Sequence, residues 1–201
     1  MLPDALENVI NALGRLPGVG SKTAERYAYY LFRSNPQISE EISECLTALH
    51  TGVKSCPITF ALIDASEEVS PLYDDDSRDK TTVLVVEEPL DIYAIEQTKA
   101  YKGTYHVLGG AISPIDGVTP EQLHIGELIK RVNNDNVKEV IIATNPSVEG
   151  ESTALYLEKI LHEQNPELKL TRLARGLPLG VDLSYADQIT LSAALENRTD
   201  L

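Results

Sequence analysis

Residues Leu16–Leu31, LPGVGSKTAERYAYYL, decide how the N-terminal part of the chain folds. Pro17, Gly18 and Gly20 are unfavourable inside a helix, yet they lie between two segments in which apolar residues recur at helical spacing. They therefore predict a tight turn that joins two helices, the arrangement called a helix-hairpin-helix.

The start of the second helix is predicted to bind an anion. We expect Ser21 to cap this helix with its side-chain oxygen, and the N–H groups of Gly18 and Gly20 to face outward beside its positive end. Lys22 and Arg26 are four residues apart, so they lie on one face of the helix and add two cations. These features predict contact with a nucleic-acid backbone without base reading, and the alternative is an ordinary glycine-capped turn.

Charge is distributed unevenly along the 201 residues, which carry 31 acidic and 17 basic side chains and a net charge of −14. A cationic strip of Arg15, Lys22, Arg26 and Arg33 includes the hairpin, whereas residues 64–79 are strongly acidic. Because an acidic body opposes nonspecific attraction to nucleic acid, we expect the strip to be the nucleic-acid contact.

The sequence starts without a basic and then apolar leader, and no apolar run approaches the length of a membrane span. We therefore expect a cytoplasmic protein that makes no membrane contact. Its two cysteines, Cys45 and Cys56, give no disulfide framework. Cys45 falls within a helical pattern, which predicts a buried position.

Outward from the hairpin, three helical patterns predict a small N-terminal α domain. Beyond residue 80 the pattern becomes strand, helix, strand, helix, and the apolar run Thr82–Val86 is typical of a buried parallel strand. This alternation predicts an α/β fold with an open, mostly parallel sheet, helices on both of its faces and a site at the carboxyl ends of its strands.

Polar side chains follow two of these predicted strands. Glu87 ends the first strand and Asp91 follows it, while the later strand leads into Asn145, Ser147 and Glu149. A strand-end Glu with a downstream Asp-x-Asp would hold Mg²⁺ for phosphoryl transfer, but Asn145 and Ser147 replace both of those carboxylates. We therefore favour loop hydrogen bonds or a partner surface here. The alternative is a Mg²⁺-dependent phosphoryl-transfer enzyme, nuclease or topoisomerase-like, that uses Glu87.

Residues 51–80 lose this periodicity but hold too many apolar side chains for a free linker: Ile58, Phe60, Leu62, Ile63, Val69, Leu72 and Tyr73. A four-cysteine zinc site would need thiolates at Cys56, Thr59, Ser70 and Tyr73, and only Cys56 provides one. We expect a folded knob that holds no zinc and is stabilised by its apolar side chains. A second possible set of soft metal ligands, which shares Cys56 with the first, has an awkward spacing: Cys45, His50 and Cys56.

Residues 170–187, LTRLARGLPLGVDLSYAD, combine several turn residues with Arg172 and Arg175. They lack the glycine and lysine spacing of a nucleotide-phosphate loop. A packing segment or a contact between subunits is therefore the preferred interpretation.

Six ordered blocks, which span nearly the whole chain, resemble the RecR family of bacterial recombination mediators. The blocks are LPGVGSKTAER at 16–26, SRD at 77–79, VVEEPLDIYAIE at 85–96, YKGTYHVLGGAISPIDGV at 101–118, ATNPSVEGESTALYL at 143–157 and RLARGLPLGVDLSYAD at 172–187. The resemblance implies a helix-hairpin-helix domain at 1–52, a zinc-finger-like module at 53–80, a Toprim domain with a Rossmann-like sheet at 81–168, and a C-terminal subunit-contact segment at 169–201. The family's zinc module is degenerate in this chain.

The resemblance also implies what the protein does. Family members form a ring-shaped tetramer that clamps DNA, acts with RecO and RecF, and helps RecA load onto SSB-coated single strands at gaps. Their DNA-contact positions fall here on Lys22 and Arg26. They lack the complete Toprim catalytic carboxylates, so we expect a non-enzymatic mediator, a homotetramer or dimer that binds single- and double-stranded DNA without sequence specificity. Its strand-end carboxylates are then expected to meet basic groups on RecO: Glu87, Asp91 and Glu149.

Overall fold

The computed structural model describes residues 2–177 and 180–198, and these residues form the predicted α/β fold. The chain divides into two units, Met1–Val53 and Lys54–Leu201, each with its own internal contacts. The first unit is helical, and the second contains the parallel sheet.

The helices described in the first unit are α1 (Asp4–Leu13), α2 (Ser21–Arg33) and α3 (Pro36–Gly52). Helices α1 and α2 pack together across the predicted hairpin, and α2 buries Ala24 and Ala28. The side chain of Asn35 accepts a hydrogen bond from the N–H of Gln37, and Pro36 occupies the first turn. The predicted break at these residues is therefore the capped start of α3.

Two local predictions for this unit are wrong. Ser21 is the first residue of α2 and Gly20 is its cap, in an extended conformation that makes no side-chain hydrogen bond. Glycine replaces a hydroxyl cap at a cost of only a few tenths of a kcal/mol, so the helix still begins there. Cys45 is exposed, because α3 buries none of its residues within the chain.

The second unit opens with a small module made of β1 (Val53–Ser55), β2 (Leu62–Asp64) and α4 (Pro71–Asp74). Cys56, Ala61 and Ile63 are buried in it, as apolar residues of a folded knob should be. Leu62, which we expected to contribute to this core, is 54% exposed. Successive side chains of a strand point to opposite faces, so the burial of Ile63 directs Leu62 outward.

The main sheet has four parallel strands in the order β4-β3-β5-β6. They are β3 (Asp79–Val86), β4 (Gly103–Val107), β5 (Glu139–Ile142) and β6 (Lys169–Arg172). The predicted strand Thr82–Val86 lies inside β3, and its last four residues are buried. Continuous burial of this kind is expected where helices cover both faces of a parallel sheet.

Besides α4, the helices described in this unit are α5 (Pro89–Gln97), α6 (Ile125–Asn134), α7 (Val148–Gln164) and α8 (Gln188–Glu196). Short 3₁₀ turns also occur at Pro120–Gln122 and Leu183–Tyr185. In the part of the chain that the structure describes, no helix has both the length and the apolar character needed to cross a membrane.

The two faces of the sheet carry separate cores. One contains Val83, Val85 and Val140 together with apolar residues of α6 and α7. The opposite core contains Leu84 and Val86 with residues of α5, and the small module adds its own apolar residues there: Phe60, Ala61 and Leu72. The N–H of Val107 in edge strand β4 also donates to the carbonyl of Thr59, at 2.8 Å. The module is therefore built onto the sheet.

Candidate functional site

The hairpin presents unpaired backbone donors at the start of α2. Gly18 has φ +78°, a left-handed conformation that favours glycine. The N–H groups of Thr23 and Ala24 donate to the carbonyl of Gly20. Within residues 2–177 and 180–198, no backbone carbonyl accepts from the N–H groups of four hairpin residues: Gly18, Gly20, Ser21 and Lys22. These donors lie at the positive end of a helix, which is the arrangement that binds phosphate.

The two predicted cations lie beside these donors and are accessible. The Lys22 side chain is 92% exposed and pairs with Glu25 at 3.2 Å. The Arg26 guanidinium lies over the ring of Tyr27, 5.6 Å from its centroid. An exposed ion pair contributes little to stability, so Lys22 can exchange Glu25 for a phosphate oxygen at small cost.

The same face of α2 carries Arg33, which belongs to the predicted cationic strip, and Tyr29, which the motif alone did not identify. Tyr29 and Arg33 follow Lys22 by seven and eleven residues, which places both on the stripe that Lys22 and Arg26 begin. Both side chains are exposed, and the Arg33 guanidinium lies 5.8 Å from the centroid of the Tyr29 ring. The i, i+4, i+7, i+11 spacing in the sequence was the signal that could have revealed the full stripe.

At the carboxyl ends of the strands, Glu87 is tied into the protein. It is 6% exposed, and its two carboxylate oxygens accept from the backbone N–H of Asn145 at 2.8 Å and from its side-chain amide at 2.6 Å. A Cβ on Gly150 would meet the Asn145 carbonyl and the Glu87 carboxylate, so a glycine permits this close approach. The Glu87 carboxylate is therefore nearly buried and already hydrogen-bonded, and its direct contact with a partner stays a prediction.

The neighbouring polar groups cap helices. Ser147 accepts from the N–H of Gly150 at the start of α7, and Asp91 accepts from the N–H of Glu88 at the start of α5. Asp91 and Glu149 are half-buried, and Glu88 is exposed. The carboxyl-end edge of the sheet, where we predicted a site, therefore keeps carboxylates that solvent can reach. In the described part of the chain, no three His, Cys, Asp or Glu side chains are grouped so that they could hold a metal ion.

Two of the degenerate zinc positions, Thr59 and Ser70, contact the sulfur of the third, Cys56. This buried sulfur accepts from the N–H of Thr59 at 3.5 Å and from the N–H of Ser70 at 3.2 Å. Burial raises the pKa of the Cys56 thiol, but hydrogen bonds from Thr59, Ile58 and Ser70 outweigh burial and leave the pKa below its ordinary value.

The fourth position, Tyr73, makes a different connection. Its hydroxyl donates to Asp135 at 3.2 Å, and the Arg131 guanidinium lies 5.0 Å from the centroid of its ring. Burial, followed by the negative charge of Asp135, raises the pKa of Tyr73, so the hydroxyl keeps its proton. One thiol and three hydroxyls, with Tyr73 directed to α6, do not form a zinc donor set.

Arg172 and Arg175 of the turn-rich segment are both paired with Glu151 of α7. Arg172 contacts the two Glu151 oxygens at 2.7 and 2.8 Å, and Arg175 reaches one of the same oxygens. Hydrogen bonds from Arg172 and then Arg175 lower the pKa of Glu151 to about 2. These arginines attach the segment after β6 to α7, which agrees with a packing role and leaves no free pair for a nucleotide phosphate.

The fold and these sites define a class of protein, one in which a helix-hairpin-helix precedes a Toprim sheet. Residues 6–50 match the family model described as "RecR, helix-hairpin-helix", residues 81–174 match "Toprim domain" and residues 176–199 match "RecR, C-terminal". The chain belongs to the RecR family of recombination proteins. The degenerate zinc module lies between the first two matched ranges.

Relatives of similar length support this assignment. A Recombination protein RecR from Myxococcus xanthus is 45% identical over 201 residues, which cover 100% of both chains. One from Moorella thermoacetica is 46% identical over 199 residues, 99% of this chain and 98% of the relative. One from Treponema denticola is 43% identical over 195 residues, 97% and 98% of the two chains. Family membership and the helix-hairpin-helix support DNA binding and a role in recombinational repair.

Proposed function

We propose that this protein is a recombination mediator that clamps DNA and helps a RecA-type recombinase load at single-stranded gaps, together with RecO and RecF partners. The observation that carries the proposal is the exposed basic face of α2 beside the unpaired N–H groups of the hairpin. Backbone N–H groups and mobile cations contact phosphates and carry no base information, which suits a protein that acts on many sequences.

Removing the two hairpin cations should weaken DNA binding and flatten its dependence on salt. Each phosphate contact on duplex DNA releases about 0.9 counterion, so Lys22→Ala with Arg26→Ala should lower the slope of log K against log salt by about 1.8. Fluorescence anisotropy of a labelled duplex at several salt concentrations measures this slope. The control is Lys99→Ala with Lys130→Ala, which removes the same charge from exposed positions of the second unit. An unchanged slope for the hairpin variant would contradict the proposed contact.

We infer that the protein is not an enzyme, and the strand-end geometry supports this. The carboxylate that would bind Mg²⁺ in an active Toprim site accepts instead from Asn145, and Ser147 caps α7. The rival function, Mg²⁺-dependent phosphoryl transfer, predicts nicking of circular duplex DNA that is lost in Glu87→Ala. Nicking of this kind would overturn our inference.

A self-associated ring is supported by apolar surface on the first unit. Leu46, Leu49 and Phe32 are each more than half exposed, and a groove on the same unit is lined by other apolar side chains: Leu6, Val9, Leu31 and Ile42. Large exposed apolar patches usually mark association surfaces, and a second copy of the chain is the occupant we propose. Mass measurement in solution should give a dimer or tetramer, and a monomer at every protein concentration would refute it.

The half-buried carboxylates at the strand ends, Asp91 and Glu149, are the proposed contact for RecO. Charge reversal at Asp91 and Glu149 should weaken capture of purified RecO and spare DNA binding, because opposite charges across an interface favour its formation. Glu163→Lys is a matched control, since it makes the same change at the other end of α7. Melting curves identify any variant that loses stability. If RecO capture is equal for all variants, the contact lies elsewhere.

A further inference from the structure

The outward face of α2 combines one aromatic ring with three cations. Lys22, Arg26, Tyr29 and Arg33 follow the helical spacing of a single stripe, and this stripe lies opposite the face that buries Ala24 and Ala28. The stripe therefore points away from the packed interior of the first unit.

Tyr29 is 54% exposed, although an aromatic side chain gains stability from burial. Phe32 lies beside it, with the ring centroids 6.5 Å apart and the planes tilted by 32°, and Arg33 lies near its ring. Tyr29 therefore remains about half exposed beside a cation that can attract phosphate.

Contact with duplex backbone accounts for the cations but not for the ring. In a duplex the bases stack on one another, and the phosphates are the groups that meet a surface helix. In a single strand the bases are free to stack on a protein aromatic group while the neighbouring phosphates meet cations.

We propose that Tyr29 stacks on an unpaired base of single-stranded DNA whose phosphates are held by Lys22, Arg26 and Arg33. This inference rests on the proposed DNA-binding function and adds to it the preferred strand form. Charge complementarity supports the occupant, because the stripe carries three cations and its only acidic neighbour, among the described residues of α2, is Glu25.

A single-tryptophan variant tests the contact directly. The chain contains no tryptophan, so Tyr29→Trp introduces one emitter at the proposed contact. Its emission should be quenched by a 15-nucleotide oligo-dT and much less by a duplex of equal length, since only the single strand offers a free base. Tyr93→Trp is the control, because Tyr93 is similarly exposed, at 68%, but lies in the second unit.

Affinity gives a second readout. Tyr29→Leu should weaken binding of the oligo-dT by about 5- to 140-fold, the range expected for one stacked base, and leave duplex affinity within about twofold. Tyr29→Phe keeps the ring and should bind as the original protein does. Circular dichroism shows whether each variant stays folded. Because Tyr29 is exposed, we expect its substitution to leave the fold intact.

The outcomes separate this inference from the proposed function. If the oligo-dT binds but neither quenches the emission of the Tyr29→Trp variant nor responds to Tyr29→Leu, stacking is refuted and DNA binding stands. If the emission of the Tyr29→Trp variant depends on protein concentration and not on DNA, a second copy of the chain covers the stripe and the inference fails. If the original protein binds neither strand form, both the inference and the proposed function fail.

Discussion

Replacing Arg131 with methionine should lower the free energy of unfolding by about 3–5 kcal/mol, because it removes a buried arginine that donates to a partly buried carboxylate and to two buried acceptors. Arg131 is 4% exposed and pairs with Asp135 at 3.1 Å. It also donates to the hydroxyl of Thr104 at 2.7 Å and to the carbonyl of Tyr105. Methionine fills a similar length but donates nothing, so three acceptors lose their partner. Chemical denaturation followed by circular dichroism measures the change.

A neighbouring residue provides the control for this result. Lys130 is exposed on the same helix, and Lys130→Met should change the free energy of unfolding by less than about 0.5 kcal/mol. Tyr73→Phe removes only the hydroxyl that donates to Asp135 and should cost about 1 kcal/mol. If Arg131→Met is as mild as Lys130→Met, this network does not stabilise the fold.

The fold follows from patterns that are local in the chain. The run Thr82–Val86 belongs to a strand that helices cover on both faces. Such a strand needs apolar side chains on both sides, so its burial could be predicted from the sequence. Pro17, Gly18 and Gly20 restrict their own backbone, and for that reason the hairpin was predictable from three residues. The exchange of Ser21 for Gly20 as the cap of α2 shows that such patterns locate an element more reliably than its first residue.

The chemistry of the sites depends on pairings between distant positions. Asn145 donates hydrogen bonds to both carboxylate oxygens of Glu87, although the two residues are 58 positions apart in the chain. No spacing rule in the sequence links them. Arg131 belongs to a polar-looking part of α6, yet it reaches Tyr105 across 26 residues and is buried. The sequence indicated Glu87 as a candidate site residue, whereas only the fold shows that its carboxylate is buried against Asn145.

The small module is stabilised by contacts that the sequence only partly indicated. The Phe60 ring stacks on His124, with the centroids 3.6 Å apart, and meets the edge of His106 at 5.5 Å. Burial lowers the pKa of His106 to about 3, so this ring is uncharged at neutral pH and suits apolar surroundings. Leu72 packs on the same core. These contacts offset the chain entropy of ordering the module.

We propose that the module folds without zinc, and a chelator should therefore leave the melting temperature unchanged. Phe60→Ala or Leu72→Ala should instead lower the free energy of unfolding, by about 2–5 kcal/mol if the neighbours do not close the cavity. Phe60 has φ 59°, and alanine also carries a Cβ, so the substitution relieves no backbone strain that could mask the loss.

Leu62 provides the matched control for these substitutions. It lies in the same module but is 54% exposed, so Leu62→Ala should have a much smaller effect than Phe60→Ala. Elemental analysis of the purified protein supplies the decisive measurement. Stoichiometric zinc, together with a chelator that lowers the melting temperature, would show that the ion is held by a combination of ligands different from the four degenerate positions. The residues to substitute next would then be Cys45, His50 and Cys56, since they are the chain's two cysteines and the histidine between them in sequence.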